Sequence, residues 1–149
     1  MTYPVFSDEY FMNEALKQAD KALKGEEVPV GAIIVNQNRI IARAHNMTQQ
    51  LNDVTAHAEM IAITSASNYL GSKYLKECTL YVTLEPCLMC AAAMKWAQLH
   101  RIVYAASDPK EGFSLLGNKV LHKKAEVVPG ILNDQAAALL SSFFMSRRS

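Results

Sequence analysis

At 149 residues the chain has the length of one domain with a sizeable core, and its composition, half apolar and 19% charged, is that of an ordinary globular protein. A net charge of +1 permits a nucleic-acid partner without requiring one, and it hides an asymmetry: 7 Lys and Arg against 10 Asp and Glu up to Ala91, then 8 against 4 beyond it. Three cysteines, two of them only three residues apart, argue against a disulfide framework and for a reducing cytoplasmic setting.

The opening Met1-Thr2-Tyr3-Pro4-Val5-Phe6-Ser7 lacks the basic and apolar regions of a secretory signal. No apolar run nears the roughly 18 residues of a membrane helix, so no membrane partner is expected. Ser7 is an N-cap candidate followed by acidic Asp8 and Glu9. Phe11, Ala15, Ala19, Ala22 and Leu23 then share one face of a helix that stops at Gly25. Residues 30–35 and 39–44, around Asn36-Gln37-Asn38, predict a β-hairpin whose first strand is apolar on both faces and needs cover on both. A polar loop over 46–53 follows. Ala58, Ile61, Ala62 and Ala66 recur at helical spacing up to Tyr69, with Gly71 as the stop.

Residues 79–84 form a third predicted strand. Pro86 is placed at the first position of a helix running from Cys87 to about Ala97. Residues 101–105 and 125–128 are the fourth and fifth strands, separated by loop with at most one helical turn. The last helix starts at Asn133 or Asp134, with an apolar face of Ala136, Leu139, Leu140, Phe143 and Phe144 and a basic Arg147-Arg148 end. This alternation predicts an α/β fold: a three-layer α-β-α sandwich around a five-stranded mixed sheet, one domain over 1–149.

The chemistry concentrates between Thr55 and Cys90. His57, Cys87 and Cys90 are three ligands of the kind Zn²⁺ takes, and a three-ligand set leaves a fourth position for water, as in catalytic sites. Cys87-x-x-Cys90 alone is ambiguous, since a thioredoxin-like redox pair and half a zinc ribbon share its spacing; no second Cys-x-x-Cys completes a ribbon. His57 and Glu59, two apart, would face different ways on a regular helix. The spacing makes sense if His57 precedes the helix and Glu59 stands in its first turn, beside the metal water. A lone histidine is more often packing than a ligand, and a first-turn glutamate is more often a favourable charge. Both motifs opening predicted helices is what lifts them above those readings. Cys78 reads as a small buried side chain, and Trp96 as packing.

His57-Ala58-Glu59 with Pro86-Cys87-Leu88-Met89-Cys90 resembles the H-x-E…P-C-x-x-C signature of the zinc nucleobase deaminases. Beyond it, Val28-Pro29-Val30-Gly31-Ala32, Asn46, Asp53, Thr83-Leu84-Glu85, Asp108 and Ser142-Phe143-Phe144 are similar to the bacterial tRNA-specific adenosine deaminases over nearly the whole chain. The resemblance implies one Zn²⁺ per subunit on His57, Cys87 and Cys90, with Glu59 as the proton carrier that turns adenosine 34 of a tRNA anticodon stem-loop into inosine. For that cycle Glu59 needs a pKa nearer 7 than a free glutamate. It also implies base or ribose contacts from Asn46, a ribose 2′-hydroxyl contact from Asp108, and base-pocket walls from Val30 and Leu84. Phe143 and Phe144 would shape the RNA-side cleft, and the family suggests a homodimer. Departures from the family pattern fall at Val54, Ala92, the 112–125 loop and Met145-Ser146, none in the metal set. A free-base or nucleoside deaminase acting on guanine or cytosine is the alternative enzyme; a non-catalytic zinc module binding RNA or a partner is the alternative outside catalysis.

Overall fold

A computed structural model describes residues 2–147; Arg148, part of the expected basic C-terminal end, lies outside them. Helix α1 spans Asp8–Lys24, and Ser7 caps it by accepting the Tyr10 N–H at 3.1 Å. It stops at Gly25, as expected, but Gly25 has φ −89°, and the left-handed residue is Glu26, one position on. Strands β1 (Gly31–Asn36) and β2 (Arg39–His45) pair antiparallel. Gln37 and Asn38 both have positive φ, 51° and 62°, as a two-residue type I′ turn requires.

Helix α2 (Ala58–Leu70), strand β3 (Cys78–Leu84), helix α3 (Leu88–Ala97), strand β4 (Arg101–Ala106), strand β5 (Glu126–Val128) and helix α4 (Asn133–Ser146) complete the chain, with short 3₁₀ turns at Phe113–Leu116 and Asn118–Val120. Sheet order is β2-β1-β3-β4-β5; β1 is antiparallel to β2 and β3, while β3, β4 and β5 run parallel. The expected three-layer α-β-α sandwich on a five-stranded mixed sheet is what the chain forms.

Alternation along β1 explains why it needs cover on both faces. Ala32 and Ile34 pack with Ala58, Ala62 and Ala66 of α2 and Ala91, Met94 and Ala97 of α3. Ile33 and Val35 point the other way, to Phe11, Met12 and Ala15 of α1 and Ala136 of α4. Fully burying each such Ile or Met contributes about 1.5–3 kcal/mol, so these two layers carry the fold. The alanines on α2 and α3 let both helices lie close on the sheet. Gly31 does the same for α1: a Cβ there would meet the Ala15 carbonyl oxygen at 2.1 Å and the Ala19 nitrogen at 2.4 Å.

Pairing brings four chain segments to one edge. Gly31 faces His45, Ala32 faces Val82, and Leu84 faces Ala106. Val30, Asn46, Leu84 and Ser107 therefore leave the sheet together, at the carboxyl ends of the parallel strands, where open α/β sheets place their ligands. Helices α2 and α3 both begin at this edge.

Candidate active site

Two helix starts build the floor. His57 is the N-cap of α2, with extended backbone (φ −72°, ψ 151°) and no capping bond from its ring, so the imidazole is free to turn away from the helix. Cys87 is the N-cap of α3 (φ −75°, ψ 173°), and its carbonyl already accepts the Ala91 N–H. Pro86 thus precedes the cap instead of opening the first turn as expected: the helix bond to Ala91 starts at Cys87, so Cys87 is the boundary residue and Leu88 takes the first helical position.

The His57 Nδ1 lies 3.5 Å from Cys90 Sγ and 3.7 Å from Cys87 Sγ, and all three ligand atoms fall within 4.8 Å of one another. Tetrahedral zinc with Zn–N near 2.05 Å and Zn–S near 2.3 Å would hold its nitrogen and each sulfur about 3.6 Å apart. The donor set fits that ion in atom type and in spacing. All three cysteines are free thiols, which removes the disulfide form of a redox pair from this structure, and Cys78 is buried as expected. The Cys90 thiol and then His57, hydrogen-bonded to Cys87, hold the Cys87 thiol down to about 4; Cys90 is pushed up by that same bond and by burial, and His57 is raised by Cys87. Thiolate at the N-terminus of α3 is the metal-binding form.

Glu59 stands in the first turn of α2 at 4% exposure, and burial pushes its carboxyl up to about 7. That value matches the sequence expectation for a group that must both take and give protons near neutrality. Asn46 is buried, and its Oδ1 accepts the Ala58 N–H at 2.8 Å. It thereby caps α2 from a distance, replacing the cap His57 does not make, and its Nδ2 has no partner among the described residues. Asp108 Oδ1 accepts the Lys110 and Glu111 N–H groups at 3.0 and 3.1 Å, so one oxygen folds the loop. Its Oδ2 has no partner among the described residues.

A cleft of about 500 Å³ collects these groups: Val30, Asn46, His57, Glu59, Leu84, Cys87 and Asp108 all line it, with Cys90 buried beneath. The two phenylalanines do not line it. Phe144 is 49% exposed on an adjoining groove of about 800 Å³ that shares Val28, Leu84, Asp108 and Glu111 with the cleft. Phe143 is buried at the helix end, edge-on to Phe144 at 5.2 Å with the Arg147 guanidinium 4.6 Å above its ring. Leu139 and Leu140 are only half buried, so the apolar face of α4 is narrower than its spacing suggested. Trp96 is not packing: it is 81% exposed, because Ala91, Met94 and Ala97 already take the sheet side of α3.

Val28, Thr48, Glu85, Met89 and Glu111 also line the cleft, and sequence reasoning gave none of them a role. For Glu85 a signal existed, a charge at the end of an apolar strand next to Pro86-Cys87. Thr48 sits in a loop with no periodicity and offered none.

Residues 6–106 match the model of the cytidine and deoxycytidylate deaminase zinc-binding region. A tRNA-specific adenosine deaminase of Aquifex aeolicus is 43% identical over 148 residues, covering 95% of this chain and 96% of its own. A solved structure from work on A-to-I editing by tRNA:A34 deaminases at the wobble position of transfer RNA is 43% identical with a TM-score of 0.83, covering 88% of this chain and 99% of that one. A guanine deaminase structure from Bacillus subtilis is 40% identical with a TM-score of 0.67, but over 68% of this chain and 66% of its own. The chain belongs to the zinc-dependent deaminases of the cytidine and deoxycytidylate deaminase family.

Proposed function

We propose that the chain hydrolytically deaminates adenosine to inosine at position 34 of a tRNA anticodon loop, releasing ammonia. The observation that carries this is a three-ligand set spaced for one divalent ion beside a buried carboxyl on the floor of a cleft, in a chain similar end to end to tRNA-specific adenosine deaminases. His57, Cys87 and Cys90 would hold Zn²⁺, which when bound supplies the Lewis acidity that makes water a nucleophile at neutral pH.

The chain's own groups do the rest. Glu59 takes a proton from the attacking water as its oxygen bonds to C6 of adenine, and gives that proton to ring N1. It then moves the second proton from the new hydroxyl to the exocyclic amine, the C–N bond breaks, and ammonia leaves behind a C6 carbonyl. Water and adenosine are thereby fully accounted for in inosine and ammonia. Asn46 offers its Nδ2 to an acceptor on the base or ribose, because its oxygen is held by α2. Asp108 offers Oδ2 to the ribose 2′-hydroxyl, the group that marks RNA. Val30 and Leu84 give the base apolar walls. The 800 Å³ groove with Phe144 on its rim takes the neighbouring nucleotides, and Phe143 holds that rim from beneath. A loop base is unpaired, so extruding it into the cleft is inexpensive.

The same reading makes the chain one catalytic domain, cytoplasmic, and a homodimer. What supports the dimer is an apolar stripe on the outer side of α3, where Leu88 is 50% and Trp96 81% exposed with small Ala92 between them. No helix among the described residues is long and apolar enough to cross a membrane.

The test is zinc-loaded protein with an A34 anticodon stem-loop and a panel of free bases and nucleosides, following inosine and ammonia. Inosine in the stem-loop supports the proposal. Turnover of guanine or cytosine alone would transfer the chain to the free-base deaminases, and zinc-replete protein inert on everything would make it a binding module.

A further inference from the structure

Glu85 is 3% exposed, lines the cleft, and has no part in the chemistry just described. Its two oxygens serve one loop. Oε1 accepts the Asp108 N–H at 3.0 Å and Oε2 accepts the Ser114 N–H at 2.9 Å. Between those contacts Gly112 lies flat on the carboxylate: a Cβ there would stand 2.3 Å from Glu85 Cδ and from Oε2. The same stretch is stitched to the metal-ligand segment by a Phe113 N–H to Pro86 carbonyl bond at 2.9 Å and an antiparallel bridge between Cys87 and Gly112. Two N–H donors on separate oxygens leave a carboxylate no freedom to rotate, and a carboxylate acceptor makes each bond stronger than a neutral one would.

We propose that Glu85 is the positioning residue for substrate binding: from beneath the cleft it fixes the 108–114 loop, and with it the Asp108 side chain at the cleft wall, in register with the Cys87 end of the metal site. The proposal deepens the tRNA reading and rests on it. Glu85 touches neither substrate nor metal; it acts through Asp108. An isosteric amide cannot replace it, because Gln has one acceptor oxygen, so one backbone N–H would face an NH₂ group while the volume stays the same.

The experiment compares Glu85→Gln, Gly112→Ala, Asp108→Ala and the double variant Glu85→Gln/Asp108→Ala on the A34 stem-loop, with zinc content measured for each. Gly112 has φ −63°, a conformation alanine adopts freely, so Gly112→Ala disturbs the seat of the loop on the Glu85 carboxylate through its Cβ while Glu85 keeps its charge. The expected result is a KM about tenfold higher in Glu85→Gln and in Gly112→Ala, the loss of about one buried charge-assisted hydrogen bond, with kcat within about threefold and full zinc. The double variant should be no worse than Asp108→Ala, the non-additivity of two residues acting as a unit. If Asp108→Ala raises KM and neither Glu85→Gln nor Gly112→Ala does, the positioning role is overturned and the substrate reading stands. If none of the variants changes KM while the stem-loop still becomes inosine, the positioning role and the Asp108 contact fall and the tRNA reading stands; if the unaltered chain does not convert the stem-loop, that reading falls by itself. Loss of zinc or of kcat at unchanged KM in Glu85→Gln would place Glu85 in support of Cys87 instead, and overturn the proposal. Should Glu85→Gln fail to fold, Gly112→Ala alone and combined with Asp108→Ala decides by the same readouts.

Discussion

Asn46 caps a helix and, in the proposed function, also donates to the substrate, two roles that substitution can separate. Its Oδ1 caps α2 at Ala58, a residue with no exposed surface, and its Nδ2 is the donor proposed for the base or ribose. In Asn46→Ala the Ala58 N–H loses its partner. A buried donor left unmade costs about 1–3 kcal/mol, but this one borders a cleft that water can enter, so the lower end applies, about 1–1.5 kcal/mol. With an unfolding entropy near 2.1 cal/mol/K per residue, a chain of this length loses roughly 0.3 kcal/mol per degree, so Tm should fall by about 3–5 °C. Asn46→Asp keeps the acceptor and adds a charge that suits a helix N-terminus. Measured at pH 6, where Glu59 with its pKa of about 7 is mostly protonated, the new carboxylate meets little repulsion, and Tm should stay within about 2 °C of wild type. Both variants should lose deamination of the stem-loop to the same degree, because neither can donate from position 46. Thermal melts and steady-state kinetics on one preparation check both halves. Equal destabilisation by Ala and Asp would refute the capping role, and wild-type turnover in Asn46→Asp would refute the donor role.

Glu59→Ala should retain zinc while kcat falls by about a thousandfold, the range of a lost proton carrier; metal analysis beside single-turnover rates tests it, and wild-type rates would remove Glu59 from the reaction. Cys90→Ala should drop bound zinc below stoichiometry and lower Tm, whereas Cys78→Ala, at a buried thiol away from the ligand set, should keep full zinc. Gly31→Ala should cost about 2–3 kcal/mol, seen in chemical denaturation, because its Cβ would meet backbone of α1, which cannot yield as a side-chain tip can. Asp8, whose carboxyl is held below its ordinary range by the bidentate hydrogen bonds of Arg101, should contribute stability above about pH 4 that disappears as pH falls through its lowered pKa; Asp8→Asn should flatten that part of the Tm-versus-pH curve.

The floor of the site was legible in the sequence and its rim was not, for a physical reason. Floor residues take their positions from local rules. His57 and Glu59 two apart make sense only if the first precedes a helix, and it does, as N-cap of α2. Cys87 and Cys90 are set by the start of α3, and the shift of Pro86 from the first turn to the residue before the cap leaves their relation untouched, because their spacing does not depend on the proline's place. The rim obeys long-range bonds with no period. Glu27, also 3% exposed, accepts the Gln49 and Gln50 N–H groups at 3.1 and 2.8 Å, 22 and 23 residues away, while Glu85 reaches 23 and 29 residues to Asp108 and Ser114. In each case a carboxylate too costly to bury alone is made tolerable by backbone donors of a segment distant in sequence, outside the helices and strands of the sandwich. The two loops carry Thr48 on one side of the cleft and Asp108 on the other. A buried glutamate in a connection beside the sheet, its oxygens taken by backbone donors far along the chain, is therefore the sequence mark of a loop held from a distance. Here both such marks point at the rims of the cleft rather than at its floor.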